Sequence, residues 1–169
     1  TAGSTNGATF GLGQNMVTYT ASDVNGNDSI ASFYVTVSDT TKPLIAQMAD
    51  INLSTATGTC AQVGNWTAPT VTENCTLDTL YSSPEEGSSF TASGDGETTV
   101  TYTAVDEAGN SSTMSFTVKV SDTENPNITA ASDTTIECDG AGNAADIASW
   151  VANHGGATAS DNCTSAADI

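Results

Sequence analysis

Of 169 residues only two are cations, Lys42 and Lys119, against 20 carboxylates, for a formal charge of −18. Neutralising phosphate needs Lys and Arg in number, which excludes nucleic acid as a partner and excludes attraction to an anionic membrane surface. The apolar residues suffice for small cores but not one large core, and no stretch approaches the roughly 20 consecutive apolar residues of a membrane-spanning helix.

Taken in chain order, Val17, Tyr19 and Ala21 alternate with Thr18 and Thr20, and Phe33, Val35 and Val37 do the same after Asp23-Val-Asn-Gly-Asn27. Period-two alternation gives each strand one buried and one wet face, and the Asp/Asn/Gly cluster supplies the turn of a hairpin. Ile51 and Leu53 alternate with Asn52 and Ser54 and predict a short strand, while Pro69, between Trp66 and Val71, belongs at an edge or bend. Turn signals recur at Gly58, Asn65, Pro69, Asn74, Pro84, Gly87, Gly94, Gly96 and Gly109. Val100, Tyr102 and Ala104, then Phe116, Val118 and Val120, predict a second hairpin turning at Asp106-Glu-Ala-Gly-Asn110, with Gly109 or Asn110 at positive φ. Residues Ala145–Ala152 carry apolar side chains at helical spacing and predict one short helix; His154-Gly-Gly156 reads as a loop.

The two hairpins are copies. Val17 to Pro43 and Val100 to Pro126 are offset by 83 residues (100 − 17, 122 − 39 and 126 − 43), and 17 of the 27 aligned positions are identical. The chain therefore divides into residues 1–38, the back half of a first repeat; 39–121, a complete repeat; and 122–169, the front part of a third. Eighty-three residues fit a sandwich of about seven short strands, so the expected fold class is all-β, a tandem array of immunoglobulin-like sandwiches. Both ends of the sequence read as cuts through a longer polypeptide.

The four cysteines fall two to a repeat, Cys60 and Cys75, then Cys138 and Cys163. Because repeats are expected to be closed units, the pairing Cys60–Cys75 and Cys138–Cys163 is preferred over the other two connectivities. A four-thiolate metal site lacks any Cys-x-x-Cys spacing. An even count in small, loop-rich, acidic repeats argues for an oxidising compartment.

These phrases together resemble a known family. Asp-x-x-x-Pro, a cysteine, Glu73-Asn-Cys75 or Asp161-Asn-Cys163, then Val100-Thr-Tyr-Thr-Ala-x-Asp-x-x-Gly-Asn110 and Phe116-x-Val-x-Val120 are similar to the hyalin repeat (HYR) domain, across essentially the whole chain. The resemblance implies an immunoglobulin-like sandwich, an extracellular or cell-surface location and a role in adhesion. The near absence of Lys and Arg looks more like the long surface adhesins of Bacteroidetes-type bacteria, including gliding adhesins, than like animal matrix proteins. Met114 and Ile30 stand near where the family often carries a further cysteine.

Calcium is the chemistry best suited to the loops, since a hard cation takes roughly six to eight oxygen ligands. Asp23, Asn25 and Asn27 crowd the first turn, Asp106 and Asn110 the second, and Asp39 and Asp122 open the linkers Asp39-Thr-Thr-Lys-Pro43 and Asp122-Thr-Glu-Asn-Pro126. If these converge with the Glu73-Asn74 or Asp161-Asn162 loop, a bound Ca2+ would stiffen the joint between neighbouring repeats. Asp, Asn and Gly are also ordinary turn formers, and no EF-hand spacing is present. Ser29, Thr40, Thr79 and Thr134 follow an Asp and precede an apolar residue or Thr, similar to bacterial hydroxyl glycosylation sites. One histidine and no Gly-x-Ser-x-Gly context give catalysis no support. The expected function is a stiff stalk in an adhesin or filament, contacting neighbouring repeats and surface glycans or other cells. The alternatives are a glycan reader built on Trp66, Tyr81 and calcium, or a passive spacer in a secreted enzyme.

Overall fold

A computed structural model of the protein describes residues 9–92, 97–165 and 168. The turn expected at Gly94 and Gly96 lies outside them. Among the described residues twelve strands and one α-helix follow in order: β1 Gly13–Ser22, β2 Asp28–Val37, β3 Leu44–Ile45, β4 Ile51–Ser54, β5 Ala61–Val63, β6 Val71–Thr72, β7 Leu77–Ser83, β8 Ser89–Thr91, β9 Glu97–Asp106, β10 Ser111–Ser121, β11 Asn127–Thr129, α1 Ala144–Ala152 and β12 Thr158–Ser160. The fold is the expected all-β, immunoglobulin-like class. The described part of residues 39–121 holds eight strands rather than about seven, because elements of two or three residues, such as β3, β5, β6 and β8, are too short to leave an alternation in the sequence.

The largest sheet has the order β4-β10-β9-β7, and the shorter pairs are β1-β2, β3-β6, β5-β8 and β11-β12. β4 joins β10 in parallel, with Ile51 opposite Val118 and Ser54 opposite Ser121. In β9 and β10 the inward positions Val100, Tyr102, Ala104, Asp106, Met114, Phe116, Val118 and Val120 are all buried, one for every second residue. The turn between these strands closes with Gly109 at φ 87°, so Gly109 rather than Asn110 takes the left-handed conformation.

The chain forms two compact units: Thr1–Ala46, Thr70–Tyr81 and Thr103–Thr113 in one, and Gln47–Pro69, Ser82–Tyr102 and Met114–Ile169 in the other. The complete repeat contributes segments to both. In the second unit the core is aromatic. Trp66 packs on Phe90 (ring centroids 6.1 Å apart) and edge-on against Phe116 (5.4 Å), and its indole N–H donates to the Tyr102 hydroxyl at 2.8 Å. Gly64 is buried there, since any Cβ would stand 2.6 Å from the Phe90 ring. The expected helix is α1, and His154–Gly156, expected as a loop, forms a 3-10 turn behind it.

In the first unit β1 and β2 pair over ten residues, from Gly13 opposite Val37 to Ser22 opposite Asp28. Tyr19 and Phe33 stack at 5.9 Å, as Tyr102 and Phe116 stack at 6.5 Å in the copy. Their surroundings differ: Tyr19 and Phe33 are 49% and 47% exposed, whereas Tyr102 and Phe116 are 4% and 3% exposed.

Candidate functional site

Both linker aspartates use the same local device. Asp39 Oδ1 accepts the backbone N–H of Thr41 at 3.0 Å, and Asp122 Oδ1 accepts that of Glu124 at 3.1 Å. Each is an Asx turn, which pins the carboxylate at the start of the linker. The hairpin turns share another device. Asp23 Oδ1 accepts from the N–H groups of Asn25 (2.8 Å) and Asn27 (2.9 Å), and its Oδ2 from the Asn27 side-chain amide (2.8 Å). Asp106 and Asn110 repeat this clamp, with both bonds at 2.8 Å. A short acidic side chain followed four residues later by Asn is therefore a turn closure before it is anything else.

In the first unit the linker and the second clamp meet. Carboxylate oxygens of Asp39, Glu73 and Asp106 lie within 4.8 Å of one another. Asp106 is the buried member, at 2% exposure, and Asp39 and Glu73 are half-buried. Glu73 Oε1 accepts the N–H of Asn74 at 2.7 Å, the Asn74 amide donates to Asp39 Oδ1 at 3.2 Å, and the Asn110 amide donates to the Asp39 carbonyl at 3.3 Å. Two oxygens remain over: Asp39 Oδ2 and Glu73 Oε2 are buried, and apart from the Cys75 thiol beside Asp39 no donor among the described residues reaches them. Buried anionic oxygens normally have partners, so this pair is the chemically unfinished part of the cluster. The Thr41 N–H and then the Asn74 amide hold the Asp39 carboxyl below its ordinary value, so it stays ionised. A hard oxygen-seeking cation suits such a set.

In the second unit Asp122 and Asp161 approach each other with the Cys163 sulfur, again within 4.8 Å. The Asp161 carboxylate accepts the N–H groups of Cys163 (2.8 Å) and Thr164 (2.7 Å), which lower its pKa. Glu73 and Asp161, whose loops the sequence offers as partners of the linkers, thus stand beside Asp39 and Asp122. Asp23, Asn25 and Asn27 instead form an exposed turn clamp, and no group of three acidic, His or Cys side chains gathers around them among the described residues.

The expected pairing of cysteines within repeats is corrected. Cys60 is bonded to Cys163, 103 residues away, with Cα atoms 5.0 Å apart, and Cys75 and Cys138 are free and exposed. The reason is where the loop after β4 goes. Thr55 Oγ1 donates to Asp122 (3.2 Å), the Gly58 N–H to Glu124 (2.6 Å), and the Asn162 amide to the Thr59 carbonyl (2.9 Å). Cys60 is thereby held against the following repeat, whereas Cys75 belongs to the other unit and has Asp39 beside it. Loss of water around its sulfur, and then Asp39, Glu73 and Asp106, hold the Cys75 thiol above its ordinary pKa.

Trp66, considered above as a glycan contact, is a core residue 9% exposed whose only polar atom is already bonded to Tyr102; Tyr81 is 56% exposed. Ser29, Thr40, Thr79 and Thr134 are all exposed.

The chain is 30% identical to Hyalin of Lytechinus variegatus over 129 residues, 73% of this chain and 24% of that protein. It is 36% identical to Hyalin of Strongylocentrotus purpuratus over 130 residues, 72% of this chain and 11% of that protein. The chain thus spans a quarter or less of these relatives' own length. The HYR domain family model matches residues 1–37 and again 38–120, and the chain belongs to the HYR domain family.

Proposed function

We propose that this chain is a stalk segment of an extracellular cell-adhesion protein, an elongated array of HYR sandwiches with calcium-stiffened joints. The observation that carries the reading is the cluster of Asp39, Glu73 and Asp106, which leaves two buried carboxylate oxygens beside a linker with no donor but the Cys75 thiol near Asp39. Asp39 leads from one copy of the hairpin motif into the next repeat, so a cation held there would restrain the chain where repeats succeed one another. Membership of the HYR family supports an adhesive, extracellular role, and no described helix is long and apolar enough to cross a membrane. The scarcity of Lys and Arg favours a bacterial surface adhesin as the setting. Exposed Ser29, Thr40, Thr79 and Thr134 are available for glycosylation, and the partners are neighbouring repeats and surface glycans or other cells. A dedicated glycan reader is disfavoured, because Trp66 is committed to the core.

The test is a pair of measurements with and without chelator. Calcium should raise the melting temperature and lengthen the maximum dimension in small-angle scattering, and EDTA should reverse both. If neither quantity responds, calcium has no part in the joints.

A further inference from the structure

We infer that Cys75 forms a disulfide with a cysteine of the preceding repeat, equivalent to Cys60, so that successive repeats are stapled across every joint. The inference rests on reading the chain as an array. Its evidence is the second copy of the same phrase. Cys163 follows Asp161-Asn162, and Cys75 follows Glu73-Asn74, both succeeded by Thr. In each loop the acidic side chain accepts the backbone N–H of the cysteine, Asp161 at 2.8 Å and Glu73 at 3.4 Å. In each the linker aspartate stands alongside, and these aspartates are one period apart, 122 − 39 = 83. At the Asp122 joint the cysteine of this loop is already bonded to Cys60, a residue of the repeat before it. At the Asp39 joint the corresponding cysteine, Cys75, is exposed and free.

The chemistry is thiol–disulfide exchange. The two cysteine thiols lose two protons and two electrons in forming the S–S bond, and an external disulfide takes them up to become two thiols. Oxidised glutathione supplies this in the assay, and a repeat array in an oxidising compartment meets the same class of oxidant.

The experiment inserts a second copy of residues 39–121 ahead of Asp39 in the full chain, folds it with oxidised and reduced glutathione, and maps the peptides without reduction. The expected map joins Cys60 of the first copy to Cys75 of the second, and Cys60 of the second copy to Cys163, leaving only the first copy's Cys75 and Cys138 to be alkylated. Replacing the first copy's Cys60 (Cys60→Ser) should free the second copy's Cys75 and leave the link to Cys163 intact. If that link forms but the second copy's Cys75 is alkylated or joined to Cys60 of its own copy, the inter-repeat staple is wrong while the array reading stands. If the link to Cys163 is itself lost on insertion, the repeats are not interchangeable units, and both readings fall together.

Discussion

Glu73→Gln separates the cost of the carboxylate cluster from its use. The substitution keeps the shape and the Oε1 acceptor that receives the Asn74 N–H, and it removes one charge. Glu73 is half-exposed and its carboxylate lies within 4.8 Å of that of Asp106, so a water-like dielectric gives about 1 kcal/mol of repulsion for this pair. Asp39 adds to it in the same sense. In EDTA the variant should therefore melt above the parent, by about 4–8 °C per kcal/mol for a domain of this size. With calcium the variant's advantage should shrink. At about 100 times its Kd the ion stabilises the parent by about 2.7 kcal/mol, and a variant binding tenfold more weakly recovers about 1.4 kcal/mol less. The two melting temperatures, followed by circular dichroism across a calcium titration, should converge as calcium rises. A variant that melts below the parent in EDTA, or that keeps the parent's full calcium response, would refute a repulsive cluster relieved by a cation.

Other consequences are independent of calcium. Tyr102→Phe strips the buried Trp66 N–H of its acceptor at 2.8 Å and should cost about 1–3 kcal/mol in urea unfolding; a neutral result would mean that the bond does not form. Cys60→Ser opens a link spanning 103 residues, for which chain entropy gives about 4.7 kcal/mol, measured as the drop in denaturant midpoint against the oxidised parent. The carboxyls of Asp23, Asp39 and Asp161 are held below 3.8, Asp23 by the Asn27 side chain above all, and Asp39 and Asp161 by backbone N–H groups. A depressed folded pKa contributes stability that is present above pH 3.8 and lost as pH falls through the folded values. Melting temperature should accordingly decline below about pH 3.8, and a flat profile down to pH 2 would show that these turns do not matter to stability.

What could be read in advance was whatever depends on neighbours in sequence. The hairpins, strand β4 and the helix near Trp150 follow from local periodicity, and the Asp-to-Asn turns from local hydrogen bonding. What could not be read depends on where loops end. Cys60 and Cys75 are 15 residues apart in sequence (75 − 60), yet their neighbours are different linkers, which only the path of the chain after β4 decides. The convergence of the Glu73-Asn74 loop with Asp39 and Asp106 could be posed from the sequence, but the burial of one oxygen each of Glu73 and Asp39 could not. Trp66 illustrates the converse: an aromatic beside a proline reads equally well as a surface platform or a core ring, and three-dimensional packing alone separates the two.

The parallel pairing of β4 with β10 bears on how such a segment would carry load. With the Cys60–Cys163 bond closed, tension along the chain passes through the sulfurs and spares β10; with it reduced, tension would draw β4 from its Ile51 end and β10 from its Ser121 end, which are opposite ends of a parallel pair. The pull therefore runs along the strands, and the rungs from Ile51–Val118 to Ser54–Ser121 are loaded in shear together instead of unzipping one after another. A two-strand grip of four residues per side would thus act as a mechanical clasp that comes under load once the disulfide opens.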